Sequence, residues 1–283
     1  MTTREFAPPA FVDLGSFRMA YREWGDPTAT QALVLIHGIT GSSLSWVRVA
    51  PVLAKRYRVI AVDLKGHGDS DRPDAGYGFS DQAHELASLC GALGLQQVSL
   101  VGHSWGGAVA THVATSTEVV VERLVLEDPA LGLHGKSRQE LSKVRESCAA
   151  SVGLTPREAA RRSRESAARG WTELDVTGKI DALRKGSPAA VRAVFMENDP
   201  WDLHPLLPRL ACPTLLVRAS VEHGGIVDDQ TVELARTNPH LRVVTIDRAD
   251  HDIHRTQYLA FMAEVAAFLA APRFAYGGQA VSN

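Results

Sequence analysis

Val98-Ser99-Leu100-Val101-Gly102-His103-Ser104-Trp105-Gly106-Gly107 is the stretch on which the reading of this chain turns. Its first four residues, Val98 to Val101, form a short apolar run of the kind that makes a buried strand. The run stops at Gly102, turns through Ser104 and continues as a helix-compatible segment, Ala108 to Thr117. Gly102-His103-Ser104-Trp105-Gly106 has the spacing G-x-S-x-G, in which a serine occupies a sharp turn between a strand and a helix. Such a turn holds the serine backbone in an unfavourable conformation, and side chains two residues to either side would collide. The gain is a hydroxyl held clear of the backbone, over a helix N-terminus whose free N–H groups favour developing negative charge. Ser104 is therefore the candidate nucleophile. A serine hydroxyl is weak at neutral pH, so it needs a base within hydrogen-bond reach.

Outward from this stretch, apolar runs alternate with helical patterns. Phe11 to Leu14 and Phe17 to Trp24, around Gly15-Ser16, predict a β-hairpin closed by Gly25-Asp26-Pro27. Leu33 to Ile36 predicts a strand buried on both faces, and Arg58 to Val62 a second one. A helix is expected over Leu44 to Ala54, and another over Ser80 to Leu93 with Ser80 as its cap. Beyond the serine turn come the strand Arg123 to Glu127, the strand Cys212 to Val217, the helix Asp229 to Arg236 and the strand Leu241 to Ile246. A last helix is expected from Ile253 to Leu269, ended by Pro272. This alternation predicts an α/β fold with a mostly parallel central sheet and helices on both faces.

The alternation lapses between about 132 and 208. Only helical stretches stand there: Ser137 to Ser151, Thr155-Pro156 to Trp171, and Ser187-Pro188 to Met196 with proline in its first turn. The organisation expected is a core of 1–131 and 209–271, an inserted helical cap of 132–208, and a disordered tail of 272–283. Arginines 157, 161, 162, 164 and 169 read as a solvated helix face, because Glu158, Glu165 and Glu173 are interspersed. Phe195, Met196 and Trp201 are candidates to line an apolar site, or to form the insert's own small core.

The chain has 283 residues, 45% hydrophobic and 22% charged, with 30 Lys+Arg against 32 Asp+Glu. A near-neutral balance excludes a large electrostatic footprint for nucleic acid or anionic membrane. No run approaches the roughly 18 apolar residues that span a bilayer. Met1 to Phe6 lacks the basic start and apolar core of a signal peptide. Cys90, Cys148 and Cys212 are odd in number and widely spaced, which argues for free thiols in a reducing compartment. The expected location is cytoplasmic. No His/Cys/Asp/Glu group has metal-ligand spacing, and Gly102 to Gly107 is neither a Walker loop nor a dinucleotide fingerprint, so neither metal nor cofactor is expected.

Together with His37-Gly38-Ile39-Thr40-Gly41, Asp63-Leu64-Lys65-Gly66-His67-Gly68-Asp69-Ser70 and Ala249-Asp250-His251, the serine turn resembles the α/β-hydrolase superfamily, in the family's own order. The resemblance covers about 11–131 and 209–270. It implies the α/β-hydrolase fold and a nucleophile elbow at Ser104. It also implies that His251, in the loop Asp247 to Asp252, is the base. A carboxylate must orient His251. The commonest family position is the loop after Leu215-Leu216-Val217, where this chain carries Glu222 and no matching aspartate. Some relatives draw the acid from the end of the strand after the elbow helix, which here is Asp128. The two alternatives stay open, with Asp128 preferred. The resemblance assigns the oxyanion hole to the backbone N–H groups of Ile39 and Trp105. It makes Asp63 to Ser70 a tight structural turn in which His67 and Asp69 are not catalytic. His254 is a supporting residue or helix cap, and Trp105 a candidate floor of the pocket.

The function implied is a serine hydrolase that cleaves a small carboxylic ester or lactone through an acyl-enzyme, with a small-molecule substrate as its partner. A serine at the nucleophile position disfavours epoxide-hydrolase and haloalkane-dehalogenase chemistry. A carbon–carbon bond hydrolase, a cofactor-free perhydrolase (haloperoxidase) and a non-catalytic small-molecule receptor are the alternatives.

Overall fold

The apolar runs pair into one sheet. In the computed structural model, which describes residues 6–116, 118–133, 137–167 and 170–272, the strands are β1 (Ala10–Asp13), β2 (Arg18–Trp24), β3 (Ala32–Ile36), β4 (Arg58–Val62), β5 (Gln97–His103), β6 (Val120–Glu127), β7 (Thr214–Ala219) and β8 (Leu241–Ile246). Their order is β1-β2-β4-β3-β5-β6-β7-β8. The β1–β2 and β2–β4 pairs are antiparallel and every other pair is parallel. The tail expected to be disordered falls almost wholly outside the described residues, as do Arg169 and Thr117.

The helices are α1 (Ala50–Leu53), α2 (Phe79–Ala92), α3 (Trp105–Thr115), α4 (Arg138–Ala149), α5 (Pro156–Ala167), α6 (Glu173–Lys185), α7 (Pro188–Glu197), α8 (Asp229–Arg236), α9 (Ile253–Thr256) and α10 (Tyr258–Ala270). All five β3 residues are buried, and they divide by parity. Val34 and Ile36 join a core with Leu86 and Leu89 of α2, Val109 and Val113 of α3 and Val232 of α8. Leu33 and Leu35 join a second core with Leu53 of α1 and Phe261, Val265 and Phe268 of α10. Side chains alternate across a strand, so a central strand covered on both faces reads as a continuous apolar run. Each buried branched side chain adds roughly 1.5–3 kcal/mol.

Three expectations of local structure need correction, and one further helix stands where none was expected. The helix over 44–54 is broken into a 3-10 turn, Ser43–Trp46, and the short α1. Pro51 has no N–H to continue the helix from the preceding turn, and the Ser42 capping box starts the 3-10 turn instead. The cap of α2 is Gly78 rather than Ser80. Phe79 N donates to Asn198 Oδ1 (2.7 Å), which satisfies the first helical N–H from outside. The last helix is interrupted at Gln257 (φ −127°, ψ 49°). α6 went unread, although Thr172-Glu173-Leu174-Asp175 forms a capping box at its start.

Between β6 and β7 the described residues hold α4 to α7, with a small apolar cluster of Ala149, Val152, Ala159, Leu183 and Val191. α6 packs tightly over the first turn, since a Cβ on Gly178 would lie 2.8 Å from the Leu44 carbonyl oxygen. Asp175 pairs with Arg48 at 2.8 Å across this contact. Among the described residues, no helix is long and apolar enough to cross a membrane.

Candidate active site

β5 delivers Ser104 to the carboxyl edge of the sheet at φ 55°, ψ −121°, a conformation that L-residues avoid. Glycines make this turn sterically feasible. A Cβ on Gly102 would lie 2.4 Å from the Gly106 carbonyl oxygen, and one on Gly106 2.4 Å from that of Ile36. Ser104 N donates to Glu127 O (2.9 Å), and the Ser104 carbonyl accepts from Gly107 N and Ala130 N. The turn is thereby tied to α3 on one side and to the end of β6 on the other.

Ser104, His251, Ile39 and Trp105 all line one cavity of about 680 Å³. His251 Nδ1 donates to Asp128 Oδ2 (2.7 Å), which leaves Nε2 as the unprotonated nitrogen of the neutral ring. Asp128 has no exposure. Its Oδ2 also accepts from Ile226 N (3.0 Å), while Oδ1 is buried without a partner among the described residues. Asp128 itself has positive φ, 38°. Burial pulls the His251 pKa down, but the Asp128 hydrogen bond and charge outweigh it and leave the pKa raised.

Glu222 does not join this group. It stands on the 3-10 turn Val221–His223 with its side chain 80% exposed, and its ion-pair neighbour is His223 at 3.9 Å. The loop after β7 contributes a backbone donor, Ile226 N, where the commonest pattern would supply the acid.

The Ile39 loop is held from beneath. His37 Nε2 accepts from Leu64 N (3.0 Å), its Nδ1 donates to Gly38 O (2.8 Å), and His67 Nε2 donates to Ile39 O (2.8 Å). A Cβ on Gly38 would approach Ser104 Cβ to 3.1 Å, so this loop packs directly against the serine. Neither Ile39 N nor Trp105 N donates to an acceptor among the described residues. The Asp63 to Ser70 turn thus supports the loop through His67. Asp69 instead pairs with Arg22 and Lys185.

Sequence reasoning missed Glu127. Its fully buried carboxylate accepts from His254 N (2.7 Å) and His254 Nδ1 (2.8 Å), pinning the start of α9 just after His251. Burial pushes Glu127 up to about 7 and His254 down to about 3. The available signal was Glu127-Asp128, two consecutive carboxylates at a strand end. His103 Nε2 donates to His251 O (2.9 Å), and burial holds this ring neutral, with its pKa pushed down to about 3. One ligand-capable atom each of His103, Asp252 and His254 lies within 4.8 Å of the others, a grouping that linear spacing hides. Arg255 also engages Asp252, and His254 Nε2 is buried without a partner among the described residues.

α4, α6 and α7 add Val144, Cys148, Lys179 and Phe195 to the wall, joined by Trp201. Phe195 and Trp201 are in ring contact at 5.4 Å. Met196 is not part of it: it is 64% exposed. Cys148 is a partly buried free thiol that packs against the cluster of Ala149 and Val191 and also lines the cavity.

Residues 33–266 match the profile of the alpha/beta hydrolase family. The chain is 29% identical to N-formylmaleamate deformylase of Pseudomonas putida, over 92% of this chain and 96% of that protein. It is 31% identical to the magnesium-chelatase 30 kDa subunit of Rhodobacter capsulatus, over 81% and 83%. An uncharacterised protein of Mycobacterium tuberculosis is 41% identical over 125 residues, but the match spans only 36% of that protein's length. Among solved structures, the enol-lactonase of Burkholderia xenovorans superposes with a TM-score of 0.77 at 21% identity, covering 93% of this chain and all of that one, a likeness of fold.

Proposed function

The chain belongs to the alpha/beta hydrolase family, and from that premise we propose that it is a serine hydrolase cleaving a small carboxylic ester or lactone through an acyl-enzyme. One observation carries the reading: the 2.7 Å Asp128–His251 hydrogen bond on the wall of the cavity that Ser104 lines.

Ser104 Oγ attacks the carbonyl as His251 Nε2 takes its proton. Asp128 holds the imidazole in the tautomer with Nδ1 protonated and stabilises the imidazolium that forms. The Ile39 and Trp105 N–H groups receive the developing oxyanion, an interaction worth roughly 3–4 kcal/mol per donor in comparable sites. His251 then returns the proton to the leaving alcohol. In the second half-reaction it activates water to release the acid.

Residues 132–208 act in this reading as a cap over a core of 1–131 and 209–271. The cavity volume falls within the usual range for small-molecule sites, and walls from α4, α6 and α7 favour a compact substrate over a polypeptide. The deformylase relative favours a second reading, in which the scissile bond is an N-acyl bond handled by the same residues.

The test is covalent labelling by a fluorophosphonate together with hydrolysis of a p-nitrophenyl acyl-chain series. Wild type is expected to label and turn over, and Ser104→Ala to do neither. A wild type that does neither overturns the hydrolase reading and favours a non-catalytic binding role.

A further inference from the structure

Lys179 is a charged wall residue that the mechanism above does not use. It lies on α6, is partly exposed and lines the cavity. Its Nζ donates to the Thr40 carbonyl oxygen (3.1 Å) and to Thr40 Oγ1 (2.8 Å). An ammonium carries three N–H donors, so one is left over. Among the described residues, no carboxylate is hydrogen-bonded to Lys179. The acid that acts on it through space, Asp252, is engaged by Arg255, and other groups acting on it include Arg255, Arg162, the Cys148 thiol and the His37 ring. Asp228, elsewhere on the cavity wall, caps α8 by accepting from Thr231 N (2.8 Å).

Placing a cation here without its own carboxylate is costly, and a bond to Thr40 alone does not require one, because a neutral donor would serve. Burial pushes Lys179 down to about 8, and the Asp252 charge offsets this only in part. Thr40 follows Ile39 in sequence, so the ammonium sits one residue from a proposed oxyanion donor.

Building on the serine-hydrolase reading, we propose that Lys179 binds a carboxylate on the acyl part of the substrate, making short half-esters or lactones of dicarboxylic acids the preferred substrate class. The carboxylate would accept the free N–H of Lys179 while the scissile carbonyl faces Ser104, giving the acyl chain two fixed ends.

The experiment compares two esters of matched heavy-atom count, monomethyl succinate and methyl 4-methylpentanoate, with wild type, Lys179→Met and Lys179→Arg. Wild type is expected to favour the succinate half-ester in kcat/KM by at least about tenfold. Lys179→Met should lower that preference by about 10- to 100-fold, chiefly through KM, and Lys179→Arg should restore part of it. No preference in wild type, or an equal fall for both esters in Lys179→Met, overturns the proposal and reduces Lys179 to a prop for the Thr40 loop. Absent fluorophosphonate labelling signals failure of the hydrolase reading instead. The subsite is then judged by quenching of tryptophan fluorescence with free succinate, since Trp105 and Trp201 line the cavity. Binding at least about tenfold weaker in Lys179→Met supports it, and equal or absent binding overturns it.

Discussion

His251 Nδ1 stands 2.7 Å from Asp128 Oδ2, although 123 positions of sequence separate the two residues. The carboxylate comes from the end of β6, and the imidazole from the loop between β8 and α9. Both ends are tied down independently. Asp128 N donates to Val217 O (2.8 Å) on the neighbouring strand, and His254 binds Glu127 just below.

Replacing Asp128 by Asn is expected to lower kcat on p-nitrophenyl esters by roughly 1,000- to 10,000-fold, because the amide favours the wrong imidazole tautomer. Glu222→Gln should stay within about twofold of wild type. A collapse of the Glu222 variant with an active Asp128 variant would falsify the assignment of the acid.

The pH profile follows from the raised His251 pKa. The base must be unprotonated, so kcat/KM should fall as pH drops through a midpoint above the ordinary histidine value of about 6.5. Removing the Asp128 charge takes away the largest influence that raises the pKa, ahead of Asp252 and Glu127, and leaves the burial that lowers it. Residual activity of Asp128→Asn should therefore show its acid limb shifted to lower pH. An unchanged or upward-shifted limb contradicts this account.

Glu127→Ala leaves the His254 backbone N–H and ring Nδ1–H buried without acceptors. A loss of about 2–5 kcal/mol in urea-unfolding stability is expected. The variant should also lose kcat, because the loop that positions His251 is released. Stability within 0.5 kcal/mol of wild type, a margin typical of surface changes, is the outcome incompatible with this role.

Gly106→Ala drives a Cβ to 2.4 Å from the Ile36 carbonyl oxygen and 2.5 Å from that of His37. Both obstacles are backbone of the central strand and its exit, so neither can rotate away. The expected result is a stability loss of about 1–3 kcal/mol or more, with slower fluorophosphonate labelling. Circular dichroism melts and labelling rates measure the two effects, and a variant with wild-type values in both would refute the packing argument.

Much of the fold was legible in the sequence because its signals are local. Leu33 to Ile36 and Val98 to Val101 are apolar on consecutive residues, as strands covered on both faces require. G-x-S-x-G records the steric demands of one turn. The errors came where a distant partner overrides a local preference. Asn198 receives the first N–H of α2, and nothing within Ser80 to Leu93 reveals that partner. The unread α6 has a weak apolar pattern with Gly178 inside it, and its place depends on packing over Leu44.

By itself, the sequence determined the α/β alternation, the serine at a turn that only flanking glycines allow, and the histidine in the loop before the last helices. Only the tertiary structure put Asp128 rather than Glu222 in hydrogen-bond contact with His251, found Glu127 beneath the histidine loop and set Lys179 on the cavity wall. The physical reason is one of range. Steric limits and hydrophobic periodicity act over a few residues and leave their mark in the chain's order. A hydrogen bond between side chains depends on angstrom distances across strands, and sequence separation does not encode these.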